Sequence, residues 1–304
     1  MSFVIHWDDV PARRRRAGSI DARWRDLGRA AGSVGAGVRR IEIRAGARST
    51  PAHSHGSAEE LFYVLGGSGL SWQDGRTHEV GPGDCLLHRA GGPAHTLLAG
   101  DAGLDVLAFG PRSRTDATRL PRAGVFWLGA WWTADPGPPG PFEREPEDLP
   151  HEPGERPPTT IHRGAARVDV TRRTRARFAS FELGEAVGSV STGMSEVTIE
   201  PGFEGFPPHC HAAEEEIFVV LGGSGVAAIG DEEHNVRRGS VVARPPGTRV
   251  AHCFRAGDEP LTYLAWGTRE PNDIAYFPRS RKVNLRGVGV IGRIEPAEYW
   301  DGEE

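Results

Sequence analysis

The side chains best suited to chemistry come as a set that occurs twice. His53-Ser54-His55 is followed after four residues by Glu60, after six more by Gly67, and later by His95. His209-Cys210-His211 is followed at the same spacing by Glu216 and Gly223, and later by His252. Residues two apart on a strand point to one face, so each His-x-His pair aims two imidazoles into a common space. The glutamate opens the next apolar run, Glu60-Leu-Phe-Tyr-Val-Leu65 or Glu216-Ile-Phe-Val-Val-Leu221, and its parity places Glu60 with Phe62 and Val64. The late histidine follows a Gly/Pro turn (Gly91-Gly92-Pro93; Pro245-Pro246-Gly247) that can return it to the same pocket. Three neutral imidazoles and one carboxylate suit a divalent transition metal, whether Fe, Mn, Ni, Cu or Zn. With four protein ligands in an octahedral arrangement, two positions stay available for substrate, water or O2. One ion per copy is the expectation, held by His53, His55, Glu60 and His95, and by His209, His211, Glu216 and His252. The plain alternative, polar residues kept without an ion, is disfavoured by two complete sets at constant offset.

The elements that must position these residues are also duplicated. Residues 26–70 moved by 156 fall on 182–226 without a gap, and 21 of 45 positions are identical. Farther on, His95 aligns with His252, Gly110 with Gly267, Arg112 with Arg269 and Asp116 with Asp273, at an offset of 157. Duplication at this scale decides the architecture before any local reading does. Short β-branched and aromatic runs recur, among them Val38–Ile43, Glu196–Glu200, Asp105–Phe109 and Leu261–Trp266. Gly or Pro breaks them every ~8–12 residues, as in a sandwich or barrel. Helical signal is weak, with Asp21–Ala31 the best candidate. Between the copies, residues 136–158 hold nine of the 24 prolines and several acidic residues, and read as an extended linker able to spread along a surface. The expected division is a first domain over 1–134, a Pro/Gly/acidic linker over 135–159 and a second domain over 160–304.

These residues resemble the cupin superfamily, and the double copy looks like a bicupin. The family's first motif, G-x5-H-x-H-x3–4-E-x6-G, fits except that six residues separate Gly46 or Gly202 from the first histidine. The second, G-x5-P-x-G-x2-H-x3-N, fits copy two through Gly239, Pro245 and Gly247, with four residues before His252. Copy one has Arg89 in place of the proline, and neither copy has the terminal asparagine. These departures touch turn geometry and leave the ligand set whole. Asn272-Asp273-Ile274, Tyr276-Phe277-Pro278 and Tyr299-Trp300-Asp301-Gly302 look like a group of bacterial bicupins, a likeness that supplies membership and no substrate. The resemblance implies an all-β chain of two tandem double-stranded β-helix (jelly-roll) barrels forming a pseudo-dimer. It also implies metal-dependent, dioxygenase-like oxidoreductase chemistry on a small enolic, phenolic or keto-acid compound. Glu60 or Glu216 would then be the catalytic group, moving to take a substrate proton. Two other expectations stand beside it. One is a sugar or sugar-phosphate isomerase, epimerase or lyase with Arg244 and Arg249 recognising an anion; the other is a small-molecule-binding bicupin without catalysis.

Other repeated residues have plainer expected roles. His78 and His234 fall in polar, turn-like stretches and read as surface histidines. Glu59 and Glu215 should face away from the ligand glutamates. Cys210 and Cys253 should point away from the metal face, and neither is expected to be a nucleophile. Gly66–Gly69 lacks the lysine of a phosphate-binding loop and reads as a hairpin turn. The copies diverge near the pocket at Trp72/Ala228 and His88/Arg244, where packing is the preferred account. Trp127, Trp131 and Trp132 are expected to pack between the domains.

Composition bounds the remainder. With 304 residues there is chain for about two domains, and 41 Gly plus 24 Pro rule out a helical bundle. A net charge of −5 gives no electrostatic reason to expect nucleic acid, and Arg13–Arg16 is short enough to be a solvated stretch. No apolar run approaches the ~20 residues of a membrane span. Three cysteines without CxxC spacing and a start without a charged, apolar leader point to the cytoplasm. The duplication already supplies what a two-barrel dimer would, which leaves a homodimer as the open question of assembly.

Overall fold

The computed structural model describes residues 3–113, 115–129, 131–133 and 139–303; of Trp132 and Pro141 it describes the backbone alone. The chain is mostly β-strand, folded as two jelly-roll barrels related by the sequence duplication. In the first barrel the long strands Glu60–Gln73 and His95–Pro111 pair antiparallel along most of their lengths. Ala36–Ile43 and Ile20–Asp26 extend the sheet on one side and Asp84–His88 on the other. The second barrel repeats this with Glu216–Gly222, Leu261–Thr268, Thr192–Ile199 and Arg177–Phe181, and with Ser240–Arg244 beside Glu216–Gly222. Gly66–Gly69 is not the expected hairpin turn but lies inside the strand Glu60–Gln73, where the register against His95–Pro111 shifts; Gly67 and its counterpart Gly223 stand at positive φ, 79° and 73°. A Cβ at either would run into the carbonyl of Gly103 or Pro260, so only glycine fits there. The helical signal over Asp21–Ala31 is overturned for most of its length: Ile20–Asp26 is a strand, and only Leu27–Ala30 makes a helical turn, capped by Asp26. Pairing with Ala36–Ile43 outweighs a weak local preference.

The two copies complete each other. Val4–His6 pairs with Ser240–Arg244 of the second barrel, and Thr160–His162 pairs with Asp84–His88 of the first. These leading strands are 156 residues apart and share the dipeptide Ile-His, at Ile5-His6 and Ile161-His162. Ahead of the second of them the Pro-rich segment lies along the first barrel. Glu152–Pro153 pairs with Arg76–Val80, the Trp72 Nε1–H donates to Pro150 O at 3.1 Å, and buried Glu145 accepts from Arg48 and Arg122 at 2.9 and 3.0 Å.

One apolar core crosses between the barrels, with Leu27, Tyr63 and Phe109 from one copy meeting Leu183, Met194 and Trp266 from the other. The tryptophans expected at this junction lie elsewhere. Trp127 and Trp131 are 46% and 76% exposed on a hairpin, Val125–Leu128 with Trp131–Trp132, beyond the strand that pairs with Ser54–His55. The Trp132 side chain is outside the described residues. His78, expected at the surface, is buried and hydrogen-bonded to Thr160 Oγ1 at 3.0 Å, because the segment arriving from the linker covers it. His234, with no such cover, is half-buried beside Glu232.

Glu59 and Glu215 do face away from the pockets, and they grip the opposite copy. The Glu215 carboxylate accepts the backbone N–H groups of Val34, Gly35 and Ala36 at 2.7–2.8 Å. Glu59 accepts from Ser189 Oγ at 2.8 Å and from the N–H groups of Val190 and Ser191 at 3.2 Å. Removing a buried charged acceptor strands its donors, at roughly 1.5–3 kcal/mol per bond lost. We therefore expect Glu59→Ala and Glu215→Ala each to destabilise the chain by about 2–4 kcal/mol in denaturant unfolding, on the same per-bond scale. Burial works to raise the Glu59 carboxyl, but hydrogen bonds from Ser189, Val190 and Ser191 win and lower it from its ordinary 4.5. Its contribution is thus complete above pH 4.5 and is lost as pH falls through the depressed folded value. The stability gap between wild type and Glu59→Gln should be widest at neutral pH and close in acid; a gap that widens in acid would contradict the clasp.

Candidate metal centres

Each centre is assembled by strand register. His53 and His95 form a backbone bridge (His95 N–H to His53 O, 2.8 Å), as do His209 and His252 (2.9 Å), so the first and last histidines of each set are neighbours across a ladder. Ser54–His55 and Cys210–His211 are short strands paired to Ala117–Leu120 and Ile274–Phe277, which hold the middle histidine. The glutamate at the head of the next strand completes the group. In the first barrel the Nε2 atoms of His53, His55 and His95 lie 3.6, 3.3 and 3.1 Å from Glu60 Oε2. In the second, those of His209, His211 and His252 lie 3.8, 3.4 and 3.1 Å from Glu216 Oε2. All eight residues singled out by their spacing are thus brought together, four per barrel.

The Nδ1 atoms of the two histidines in each His-x-His pair are tied down, which turns their Nε2 atoms inward. His53 Nδ1 faces Pro51 O at 2.9 Å and His209 Nδ1 faces Pro207 O at 2.8 Å. His55 Nδ1 faces Asp116 Oδ2 at 2.5 Å, and His211 Nδ1 faces Asp273 Oδ2 at 2.6 Å. Carboxylates and carbonyls behind histidines are the usual device for orienting metal-binding imidazoles. Asp116 and Asp273 were not among the expected site residues. Their signal was present in the repeat, because the offset of 157 pairs them outside both motifs.

Burial alone would raise the Glu60 carboxyl, but the charge on His55 and bonds from three histidines hold it well below the usual range. Glu216 is held down against burial in the same way, by His252 first. His55 is pushed up to about 9; burial opposes this, and Glu60 and Asp116 overcome it. Burial lowers His95 and His209 to about 4, leaving them neutral with lone pairs to offer. The donors fit a metal by another measure too: the buried atoms His55 Nε2, His252 Nε2 and Glu216 Oε2 find no partner outside the converging groups among the described residues. Uncompensated polar atoms gathered at one buried point are costly unless something binds them. Each barrel therefore carries one potential His/Glu metal site.

Around the shared centre the barrels differ. His88 stacks on His95 with ring centroids 3.7 Å apart, whereas its counterpart Arg244 is buried and donates to Val250 O at 2.6 Å. Arg244 is bonded through Nη2 alone, with Nε and Nη1 lacking a hydrogen-bond partner among the described residues, and the cations that line the second cavity are Arg269 and Arg286. Glu214, where copy one has Ala58, pairs with Arg286 at 2.5 Å beside His211. Burial raises the thiols of Cys210 and Cys253, which keeps both protonated and unreactive near neutral pH. The cavity at the first centre measures about 50 Å³ and that at the second about 270 Å³.

A chain of two jelly-roll barrels, each with three histidines and a glutamate at one end of its interior, defines a class. Residues 39–109 and 195–267 each match the family model described as Cupin domain, and the chain is a bicupin. Solved structures share the fold. Oxalate decarboxylase from Bacillus subtilis superposes with a TM-score of 0.57 at 18% identity, over 86% of this chain and 75% of that one. The formate complex of Lactobacillus farciminis oxalate decarboxylase gives 0.62 at 16% identity, over 88% and 86%. A further Bacillus subtilis oxalate decarboxylase structure, described for its Mn(II) centres, gives 0.58 at 18% identity, over 89% and 78%. At these identities the likeness concerns the fold. No curated protein matches the sequence.

Proposed function

We propose that each barrel binds one divalent transition ion, through His53, His55, Glu60 and His95 in the first and through His209, His211, Glu216 and His252 in the second. We further propose that the second barrel turns over a small organic molecule. The observation that carries this is the inequality of the two cavities. Both barrels keep the full donor set, but the second joins it to about 270 Å³ of space and the first to about 50 Å³. Small-molecule sites start near ~300 Å³, whereas a water takes about 30 Å³, so the first cavity admits water and little else. Its ion would serve the fold.

A transition metal at the second centre supplies Lewis acidity and, for the redox-active ions, access to oxygen chemistry. The chain's own residues supply the setting. Phe206, Phe218 and Tyr263 form an apolar wall, and Glu216, at the point where the imidazoles converge, can hold a substrate proton. The compound class this suits is a small enolic, phenolic or keto acid, handled in a dioxygenase-like reaction. A second reading, bond cleavage without net oxidation, is favoured by the fold shared with oxalate decarboxylases. Elemental analysis, followed by oxygen uptake with a panel of such acids, separates them. Uptake in proportion to product supports the oxygen-dependent reaction, undiminished anaerobic turnover selects the second, and no metal at either centre after reconstitution refutes both.

A further inference from the structure

The second cavity is larger for a specific reason. Along the strands that wall it, the first barrel carries Trp24 and Arg39, and both line its narrow pocket. Moved by 156, these positions are Ser180 and Ser195. The exchange removes an indole and a guanidinium from the mouth, and it has a second consequence. In the first barrel Arg112 packs over Gly37 and is tied down, Nη1 to Ser33 O at 2.9 Å and Nη2 to Asp26 Oδ1 at 3.3 Å. In the second, Glu182 replaces Asp26, and its carboxylate is taken by Ser180 Oγ at 2.5 Å and Ser195 Oγ at 2.8 Å. The counterpart of Arg112 is Arg269. It lies against Gly193, where an added Cβ would sit 3.1 Å from Nε, and its guanidinium is solvent-exposed on the cavity lining with no side-chain hydrogen bond or ion pair among the described residues. The other cation on the cavity wall, Arg286, is neutralised by Glu214.

We infer that Arg269 is the specificity-determining cation of the second barrel and binds the carboxylate of a small acid whose flat, unsaturated body lies against Phe206 and Phe218. Arg269 follows directly on the strand Leu261–Thr268 and lines the same cavity as the metal ligands. A guanidinium without a protein partner presents its fork to a carboxylate in bidentate fashion. The aromatic pair supplies the apolar surface that holds the remainder. This rests on the second barrel being the seat of turnover, and it names the chemical class that barrel accepts.

The test uses calorimetry on the full-length, metal-loaded protein with benzoate and its neutral isostere benzamide as probes. Wild type should prefer benzoate by about ten- to a hundredfold, the scale of a charge-assisted pair. Arg269→Gln should erase most of that preference while metal content and unfolding midpoint stay unchanged, and Arg269→Lys should restore part of it. Equal binding of the two probes, failure of benzoate to bind, or a preference that survives Arg269→Gln would overturn the assignment. An Arg269-dependent preference in a protein that turns nothing over would leave the assignment standing and sink the functional proposal. Turnover of acids that is indifferent to Arg269→Gln would do the reverse.

Discussion

Replacing His209 by alanine should remove the ion from the second barrel and take turnover to background, while the first barrel keeps its ion. The matching change, His53→Ala, should remove the other ion and leave most turnover in place. Both expectations follow from the convergence of three imidazoles on one carboxylate oxygen in each barrel. Losing one of four ligands leaves two histidines and a glutamate in a site spaced for four donors, which weakens its hold on a divalent ion. The two variants differ in outcome because the cavities do, about 270 Å³ against 50 Å³. Elemental analysis of each variant beside its activity decides the matter. If both retained full metal, the convergence would not be a binding site. Turnover lost in His53→Ala and kept in His209→Ala would put the chemistry in the other barrel.

Filling the second cavity with the residues of the first should be as damaging without touching the metal. Ser180→Trp with Ser195→Arg restores the pair that narrows the first pocket, and the indole would occupy the space above Phe218 and His252. Ser180 is buried and Ser195 half-buried, and both hydroxyls donate to the Glu182 carboxylate. Their loss therefore costs the fold about as much as two ordinary hydrogen bonds, ~1–3 kcal/mol together. A misplacement of about 1 Å can cost a hundredfold in rate, and exclusion of substrate costs at least that. The expected result is metal content equal to wild type with activity down by about a hundredfold or more on that scale. Unchanged activity would mean that substrate approaches by another route. The reverse graft, Trp24→Ser with Arg39→Ser, offers a gain-of-binding control in the first barrel.

Much of the centre was legible in the sequence because metal ligation needs donors at strand spacing, and strand spacing survives in a linear code. His53 and His55 could be placed on one face by parity, Glu60 at the head of the next strand with Phe62 and Val64, and His95 followed from the turn ahead of it and from the repeat. Their supports were less visible. Asp116 and Asp273 lie some sixty residues from the histidines they orient, in segments whose pairing to Ser54–His55 and Cys210–His211 has no local signature. His78 read as a surface residue because its neighbours are polar, and it is buried only because a segment from another part of the chain covers it. Trp127 and Trp131 read as junction residues because large aromatics seek burial, yet they stand on an exposed hairpin and the junction is filled by other side chains, Tyr63, Phe109 and Trp266 among them.

From the sequence alone came the duplication, the all-β architecture and the eight side chains that converge in the barrels, since each depends on periodicity and residue chemistry that neighbours along the chain suffice to express. Tertiary structure decided the rest. It exchanged the strands Val4–His6 and Thr160–His162 between the barrels, and it aimed Glu59 and Glu215 at the opposite copy. It also tied down one of two equivalent arginines, Arg112, and left the other, Arg269, exposed and without a side-chain partner among the described residues. Those outcomes depend on which distant groups compete for the same hydrogen bonds and the same volume, a competition settled only when the sheets close.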